Sequence, residues 1–223
     1  MKKYIILVFL MLLLCFPVLI INNYAINTFK EQENIKYIYL DPGHGGKDGG
    51  AISNNGIYEK NINLLICYKL KSYLENCGYN VKMTRYGDYD LASYGSKNRK
   101  NEDINKRIEL INNTDVILFV SIHCNIYSSN TIRGAQTFYK DNPENKKIAM
   151  LIQNKLKNIL KNTTRESKTI SGKYLIDNTN TTGCLVEVGF LSNPEELSLL
   201  TNETYQNQIA YCIYLAIIEY LGI

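Results

Sequence analysis

The chain has 223 residues with an ordinary share of apolar and charged side chains, which leaves room for one medium domain and a short appendage but not for a second full domain. Its formal net charge is +4, and Lys2 and Lys3 supply half of this surplus. The remaining basic residues are scattered, which argues against binding to nucleic acid.

An apolar run without a charged residue, Tyr4 to Ile21, follows these two lysines. A positive flank before such a run is typical of segments that insert into a membrane. We therefore predict that residues 1–21 form a signal peptide or an N-terminal membrane anchor and that the rest of the protein is exported. We favour the anchor because no pair of small residues follows the run. Residues 22–34 are polar and form a predicted tether.

Strands and helices alternate in the predicted domain, residues 35–223, which indicates an α/β fold. Apolar runs predict strands over residues 35–40, 79–84, 116–122, 135–139, 173–176 and 184–188. Helical spacing of apolar residues predicts helices that begin at Glu59 and Pro143 and helices over residues 102–112 and 209–220.

The chain has two histidines, His44 and His123, and each falls where a predicted strand runs out into a loop. Ligands of open α/β sheets gather at the carboxyl ends of strands, so the two imidazoles are candidates for one site. A lone histidine is more often structural, but the glycines around His44 let the backbone approach a ligand closely. This loop lacks the GxxxxGK[ST] and GxGxxG patterns, which disfavours a nucleotide site.

Two carboxylates are candidates for the same site. A catalytic zinc ion has three protein donors and an open position beside a carboxylate that takes a proton from water, and two histidines leave one donor missing. Glu59 begins the helix after the glycine-rich loop, where it either binds the metal or stabilises the helix dipole. Glu187 lies in an apolar strand, where either a function or a buried ion pair has to account for its charge.

Six cysteines in an exported chain raise the question of disulfides. Their positions form no tight framework, and Cys67 and Cys77 would lie about 15 Å apart along one helix, too far to be bridged. We predict that most of the cysteines are buried thiols.

Four motifs together define a family resemblance. They are Leu-Asp-Pro-Gly-His-Gly-Gly at 40–46, Tyr-Glu-Lys at 58–60, Val-Ser-Ile-His-Cys-Asn at 120–125 and Leu-Val-Glu-Val-Gly-Phe-Leu-Ser-Asn at 185–193. Over residues 36–222 the chain resembles the zinc-dependent N-acetylmuramoyl-L-alanine amidases of the amidase-3 family. The resemblance implies a twisted, mixed six-stranded sheet flanked by helices, with His44, Glu59 and His123 as zinc ligands and Glu187 as the catalytic carboxylate.

The same resemblance implies a reaction and a setting. Zinc would activate water, and Glu187 would move its proton to the departing L-alanine nitrogen while the lactyl amide of N-acetylmuramic acid is cleaved in peptidoglycan. A lone catalytic domain behind a hydrophobic segment resembles the germination-specific amidases of endospore formers. This likeness implies action on spore cortex towards muramic-δ-lactam, in the space between the forespore membranes, and an activating lipoprotein partner.

Two alternatives stay open at this point. One is a protein of the same fold that binds peptidoglycan without cutting it, which the presence of all four key residues argues against. The other is a zinc peptidase acting on stem peptides. Zinc peptidases of that kind carry two ligands in an HxxE pattern, whereas His44 and Glu59 are separated by fifteen positions.

Overall fold

The computed structural model describes residues 36–222 together with Pro17. The predicted signal peptide or anchor, apart from Pro17, and the predicted tether lie outside the described residues. Among the described residues, no helix has the length and apolar character needed to cross a bilayer.

Six strands of the described residues form one mixed sheet. They are β1 (Tyr37–Pro42), β2 (Asn80–Met83), β3 (Val116–Asn125), β4 (Gln136–Tyr139), β5 (Lys168–Thr169) and β6 (Gly183–Phe190). In space the order is β2, β1, β3, β6, β4, β5. The first four of these are parallel, β4 runs antiparallel to β6, and β5 is parallel to β4. The predicted mixed, six-stranded sheet is confirmed.

Six α-helices of the described chain pack on this sheet. They are α1 (Glu59–Asn76), α2 (Arg99–Asn112), α3 (Pro143–Lys155), α4 (Tyr174–Asn178), α5 (Pro194–Leu200) and α6 (Glu203–Leu221). Asparagine side chains begin three of them, because Asn142, Asn193 and Asn202 each accept a hydrogen bond from a backbone N–H of the first turn. Helix α3 continues into a π-helical segment, Leu156–Leu160.

Alternation of side chains along the strands divides the core into two layers. On one face, Leu40, Val120 and Val186 pack with the buried sides of α1, α3 and α6. On the other face, the adjacent residues Tyr39, Phe119 and Leu185 pack with Ile111 of α2 and with Leu175 and Ile176 of α4. Side chains that follow Tyr39, Phe119 and Leu185 by two or four positions in the strands therefore point to the α2 and α4 face.

The strand predicted over residues 173–176 is wrong, because Lys173 precedes the short helix α4 as its N-cap residue and the following three residues lie in that helix. Leu175 and Ile176 are both buried against the same layer of the core, which a strand with alternating side chains does not allow. Thr179 Oγ1 donates to the carbonyl of Leu175 at 2.7 Å and so satisfies a carbonyl of the last turn. A short apolar run carries too little periodicity to distinguish the two structures.

The five cysteines of the described chain are free, and all except Cys77 are buried. The prediction of buried thiols is confirmed for Cys67, Cys124, Cys184 and Cys212. Burial raises the pKa of the Cys184 thiol above its ordinary value, which favours the neutral form.

A buried ion pair fixes the end of β1. Arg107 Nη1 of α2 donates to Asp41 Oδ1 at 2.7 Å, and the two side chains are almost fully buried. Thr84 and Ser121 donate to the same carboxylate. Burial by itself would raise the pKa of Asp41, but Arg107 and the two hydroxyl groups outweigh it and hold the pKa at about 2.

We expect Asp41→Asn to lower the free energy of unfolding by roughly 3 kcal/mol at neutral pH, because it removes the charge that compensates the buried Arg107. Urea unfolding measures the loss. Glu195→Gln breaks the solvent-exposed pair with Arg133 and serves as the control, with an expected change below about 1 kcal/mol.

The pH dependence of the same variant has a defined sign. A lowered pKa stabilises the folded protein above the ordinary value of 3.8, and this contribution is lost as the pH falls towards about 2. The stability difference between wild type and Asp41→Asn should therefore shrink over this window. A constant difference would contradict the assignment.

Candidate metal centre

A tight turn at the end of β1 presents His44. Its backbone adopts φ 62°, which few side chains other than glycine occupy. The preceding Gly43 lies against the ring of His123, where an added Cβ would stand 2.2 to 2.6 Å from the ring atoms. Glycine at position 43 is therefore needed for the two histidines to approach each other, and their ring centroids are 5.0 Å apart.

Two buried arginines hold the backbone of this turn. Arg107 donates to the carbonyls of Pro42 and His44 at 2.9 and 2.7 Å. Arg85, which is fully buried, donates to the carbonyls of Pro42 and Gly43 at 2.9 and 3.1 Å. Because three successive carbonyls accept guanidinium donors, the turn cannot change shape without leaving a buried charge unpaired.

His44, Glu59 and His123 form one cluster that could hold a metal ion. Their ligand atoms all lie within 4.8 Å of one another. His44 Nε2 is 3.3 Å from Glu59 Oε2, and His123 Nδ1 is 2.9 Å from Glu59 Oε1. The structure thus brings together the three residues that the family resemblance gives as zinc ligands.

His123 lies inside β3 and not at its end, because the strand runs three residues further than predicted, to Asn125. The extension pairs with β6, where His123 stands opposite Glu187 and Asn125 opposite Phe190. The apolar run alone did not give the boundary, because it ends at Ile122 while the polar His123 and Asn125 continue the strand, with a bulge between them.

Backbone and side-chain amides fix the Glu59 carboxylate. Oε2 accepts the backbone N–H of Ala51 at 2.8 Å. Oε1 accepts the backbone N–H of Cys124 at 3.0 Å and the side-chain amide of Asn63 at 3.2 Å. These hydrogen bonds fix the Glu59 carboxylate in its orientation between the two histidines. Glu59 also lies in the first turn of α1, where a negative charge is favourable.

The two imidazoles favour the ionised form of the buried Glu59 carboxylate. Burial by itself would raise the pKa of Glu59, but hydrogen bonds from His123 and His44 hold it well below its ordinary range. Burial would lower the pKa of His44, but hydrogen bonds to Asp48 and Glu59 raise it to about 9. One carboxylate between two imidazoles matches the nitrogen and oxygen donors that zinc accepts, and a metal ion there would take the place of the imidazole protons.

Glu187 of β6 shares a cavity of about 400 Å³ with the three cluster residues. Its Oε2 is buried and has no hydrogen-bond partner among the residues that the structure describes. Burial raises the pKa of this carboxyl, and the nearby Glu59 adds to the shift. No cation pairs closely with Glu187 in the described chain, so the buried ion pair that the sequence left open is not formed.

The sequence did not single out Asp48 or Asn63. Asp48 Oδ2 is 2.9 Å from His44 Nδ1, so it orients the ring whose Nε2 faces Glu59. Asn63 lies four positions after Glu59 on the same face of α1. This i, i+4 spacing is the sequence pattern that could have indicated the contact between the two side chains. Asp41, which belongs to the 40–46 motif, pairs with Arg107 and does not contact the three cluster side chains.

Comparison with known proteins places this geometry in context. The family model described as N-acetylmuramoyl-L-alanine amidase matches residues 38–219. The chain is 43% identical, over 95% of its length and 91% of the relative's, to the germination-specific N-acetylmuramoyl-L-alanine amidase of Bacillus subtilis. It is 31% identical over 90% of its length to the amidase LytC of the same organism, where the match spans 38% of the relative.

Solved structures that resemble this chain are also amidases. The CwlD amidase from Clostridioides difficile, determined in complex with the GerS lipoprotein, superposes with a TM-score of 0.81 at 41% identity and covers 84% of this chain and 98% of that one. The catalytic domain of the amidase CwlV from Bacillus (Paenibacillus) polymyxa var. colistinus superposes with a TM-score of 0.75 at 30% identity, over 84% and 99% of the two chains.

Proposed function

The chain belongs to the N-acetylmuramoyl-L-alanine amidase family, and from this premise we propose that His44, Glu59 and His123 hold zinc while Glu187 carries protons during hydrolysis. The bond cleaved is the amide between the lactyl group of N-acetylmuramic acid and the L-alanine of the stem peptide. The observation that carries the proposal is the buried, unpartnered Oε2 of Glu187 in the cavity of the cluster.

Glu187 suits both proton transfers of the reaction, because its raised pKa lies closer to neutrality than that of an exposed carboxyl. It accepts a proton from water as the water oxygen bonds to the lactyl carbonyl carbon. When the carbon–nitrogen bond breaks, Glu187 returns this proton to the alanine nitrogen. The products are a lactyl carboxyl group and a free amine, so no covalent acyl-enzyme is needed.

Zinc, when bound, supplies a Lewis acid that polarises the water and the carbonyl group. The protein contributes the fixed orientation of the donors. Asp48 holds His44 with its Nε2 turned towards Glu59, and the amides of Ala51 and Cys124 hold the Glu59 carboxylate. Such hydrogen bonds from outside the ligand set strengthen metal binding by fixing ring and carboxylate orientations.

The two alternatives fit the geometry less well. A protein that binds peptidoglycan without cutting it has no need for a buried carboxyl with a raised pKa beside the cluster. The HxxE pattern of the zinc peptidase alternative places its two ligands three positions apart in one segment, whereas His44 and Glu59 lie fifteen positions apart, in a turn and in a helix.

The biological setting follows from the similar proteins. We propose that the enzyme acts outside the cytoplasmic membrane on spore cortex, as the first step towards the muramic-δ-lactam needed for germination, because a similar protein is a germination-specific amidase. Action between the forespore membranes and retention by residues 1–21 belong to the same proposal. A lipoprotein activator is included because the similar CwlD amidase forms a complex with GerS.

Digestion of purified peptidoglycan tests the bond that is cleaved. We expect peptide-free glycan and free stem peptides with L-alanine at the amino terminus, detected by mass spectrometry. A chelator should abolish the products, and added zinc should restore them. Shortened peptides that remain attached to the glycan would instead indicate a peptidase.

Replacement of the proposed proton carrier tests the mechanism. We expect Glu187→Gln to lower kcat by at least about a hundredfold, since the amide cannot exchange the proton. Zinc content should stay unchanged, because Glu187 is not a proposed ligand. Glu166→Gln, at a solvent-exposed glutamate, is the control and should retain wild-type kcat. Full activity in Glu187→Gln would contradict the assigned role.

The role of Asp48 can be measured through metal affinity. We expect Asp48→Asn to weaken zinc binding about tenfold to a hundredfold, because His44 loses the carboxylate that fixes its ring. Competition with a coloured chelator gives the affinity without any activity measurement. Asp115→Asn, at an exposed aspartate remote from the cluster, should bind zinc like the wild type.

A further inference from the structure

The outward side of α6 changes in character along the helix. No residue from position 204 to position 218 is charged. The outward residues near the start of the helix are polar and exposed, as at Thr204 and Gln208. Those of its second half are apolar and at least partly exposed, and together they form the α6 stripe: Tyr211, Tyr214, Leu215 and Ile218. A helix that is apolar on its outward side as well as on its buried side is ordinarily covered on both.

Stacked tyrosine rings extend the α6 stripe onto α1. The ring centroid of Tyr73 lies 5.4 Å from that of Tyr211 and 5.6 Å from that of Tyr214. Tyr211 and Tyr214 stack on each other at 5.8 Å, and 43% of the surface of Tyr211 is exposed. Exposed apolar side chains that join into one surface, in contrast to scattered ones, mark a contact with a protein or a membrane.

The α6 stripe lies beside the end of α1. Lys69 Nζ is 3.1 Å from Glu203 Oε1 at the start of α6. Further along both helices, Cys77 Sγ at the end of α1 is 2.8 Å from the hydroxyl group of Tyr214. The two helices therefore run in the same direction, and the apolar half of α6 lies level with the last turns of α1.

This end of the two helices is the end at which the parallel strands begin. The chain passes from α1 through Gly78 and Tyr79 into β2, and the first residue of β2, Asn80, pairs with Tyr37, the first residue of β1. His44 follows the other end of β1. The α6 stripe and the candidate metal centre thus belong to opposite edges of the sheet.

The ionic side chains around the α6 stripe balance one another. Those that flank it on the helices form two ion pairs, Lys71 with Glu75 and Lys155 with Glu219. At the start of the strands, the exposed Lys36 and the exposed Asp115 have opposite charges. A strongly charged partner finds no complementary field on such a surface, so apolar and aromatic contacts have to provide the recognition.

The chain that precedes β1 indicates what covers this surface. Residues 1–21 contain the apolar run that is predicted to insert into a membrane, and fifteen residues, 22–36, connect it to β1. A flexible link of this length spans about 20 Å on average, so retention of residues 1–21 keeps the start of β1 close to the bilayer. Tyrosine is enriched where proteins meet lipid headgroups, because its ring is apolar and its hydroxyl group is polar.

We propose that the α6 stripe and Tyr73 dock on the surface of the lipid bilayer, so that the metal centre at the opposite edge of the sheet faces away from the membrane. The proposal rests on the proposed retention of residues 1–21 and adds an orientation to it. A link alone leaves the domain free to rotate. Docking turns the cavity of the metal centre towards the peptidoglycan that lies beyond the membrane.

A single tryptophan reports on this contact, because the chain contains none. The full chain, including residues 1–21, is synthesised into nanodiscs of phosphatidylcholine brominated close to the headgroups, where bromine quenches tryptophan at short range. We expect the Tyr211→Trp protein to lose at least about half of its fluorescence relative to nanodiscs of unbrominated lipid, because a docked side chain lies at the headgroup boundary.

Tyr127→Trp is the matched control. Tyr127 is an exposed tyrosine, at 60%, and it lies two residues after the end of β3 on the edge that carries the metal centre. Its fluorescence should be the same in both lipids. Equal quenching at the two positions, or no quenching in Tyr211→Trp, would overturn the proposal.

A charge placed in the α6 stripe should abolish docking. We expect Leu215→Glu, added to Tyr211→Trp, to remove most of the quenching, because burial of a carboxylate at the membrane surface is unfavourable. Gln208→Glu adds the same charge to the polar half of the same outward side and should leave the quenching unchanged. Circular dichroism checks that both double variants are folded. Equal quenching in the two would refute the proposal.

This experiment is independent of the proposed function. Quenching requires neither zinc nor hydrolysis, and synthesis into nanodiscs retains residues 1–21 whether or not a cell removes them. Mass spectrometry of the protein from the membrane fraction tests the retention by itself. An unquenched Tyr211→Trp protein that forms a dimer, which Leu215→Glu dissociates, would assign the α6 stripe to a contact between two copies and refute docking on lipid.

Discussion

The ion pair between Asp41 and Arg107 is the constraint on which the arrangement of the site depends. Arg107 reaches from α2 to the end of β1 and there also donates to the carbonyls of Pro42 and His44. Removal of two charges from water is costly unless each finds strong partners, and here the partners are the backbone groups of the turn. The ion pair therefore joins α2 to β1. It also fixes the backbone conformation of the turn that carries His44.

The alternation of side chains along the strands places two further residues of the site on one face of the sheet. His123 follows Phe119 by four positions and Glu187 follows Leu185 by two, so both side chains lie on the α2 and α4 face of the sheet. Glu59 comes from the first turn of α1 in the other layer, and its carboxylate crosses to accept the Cys124 N–H. The cluster is thus assembled at the carboxyl edge of the parallel strands from elements of both layers.

Much of this arrangement could be predicted from the sequence, because long apolar runs and helical periodicity define β3, β6, α1 and α6. The metal cluster could also be predicted, since a chain with two histidines, each near the end of a predicted strand, leaves few alternatives, and the family motifs supplied the choice between Glu59 and Glu187. The short helix α4 could not, because five residues contain hardly more than one turn. The hydrogen bonds from Arg85 to backbone carbonyls could not be predicted either. Every residue has a backbone carbonyl, so the sequence does not indicate which of them accepts.

The number of histidines has a practical consequence for observing this protein. The chain contains two, and both belong to the cluster with Glu59. Every imidazole resonance in a magnetic resonance spectrum therefore originates at the centre itself, without background from other histidines. Tautomer, protonation and metal occupancy can each be followed in the intact protein by uniform isotope labelling, with no mutation needed for assignment beyond distinguishing one ring from the other.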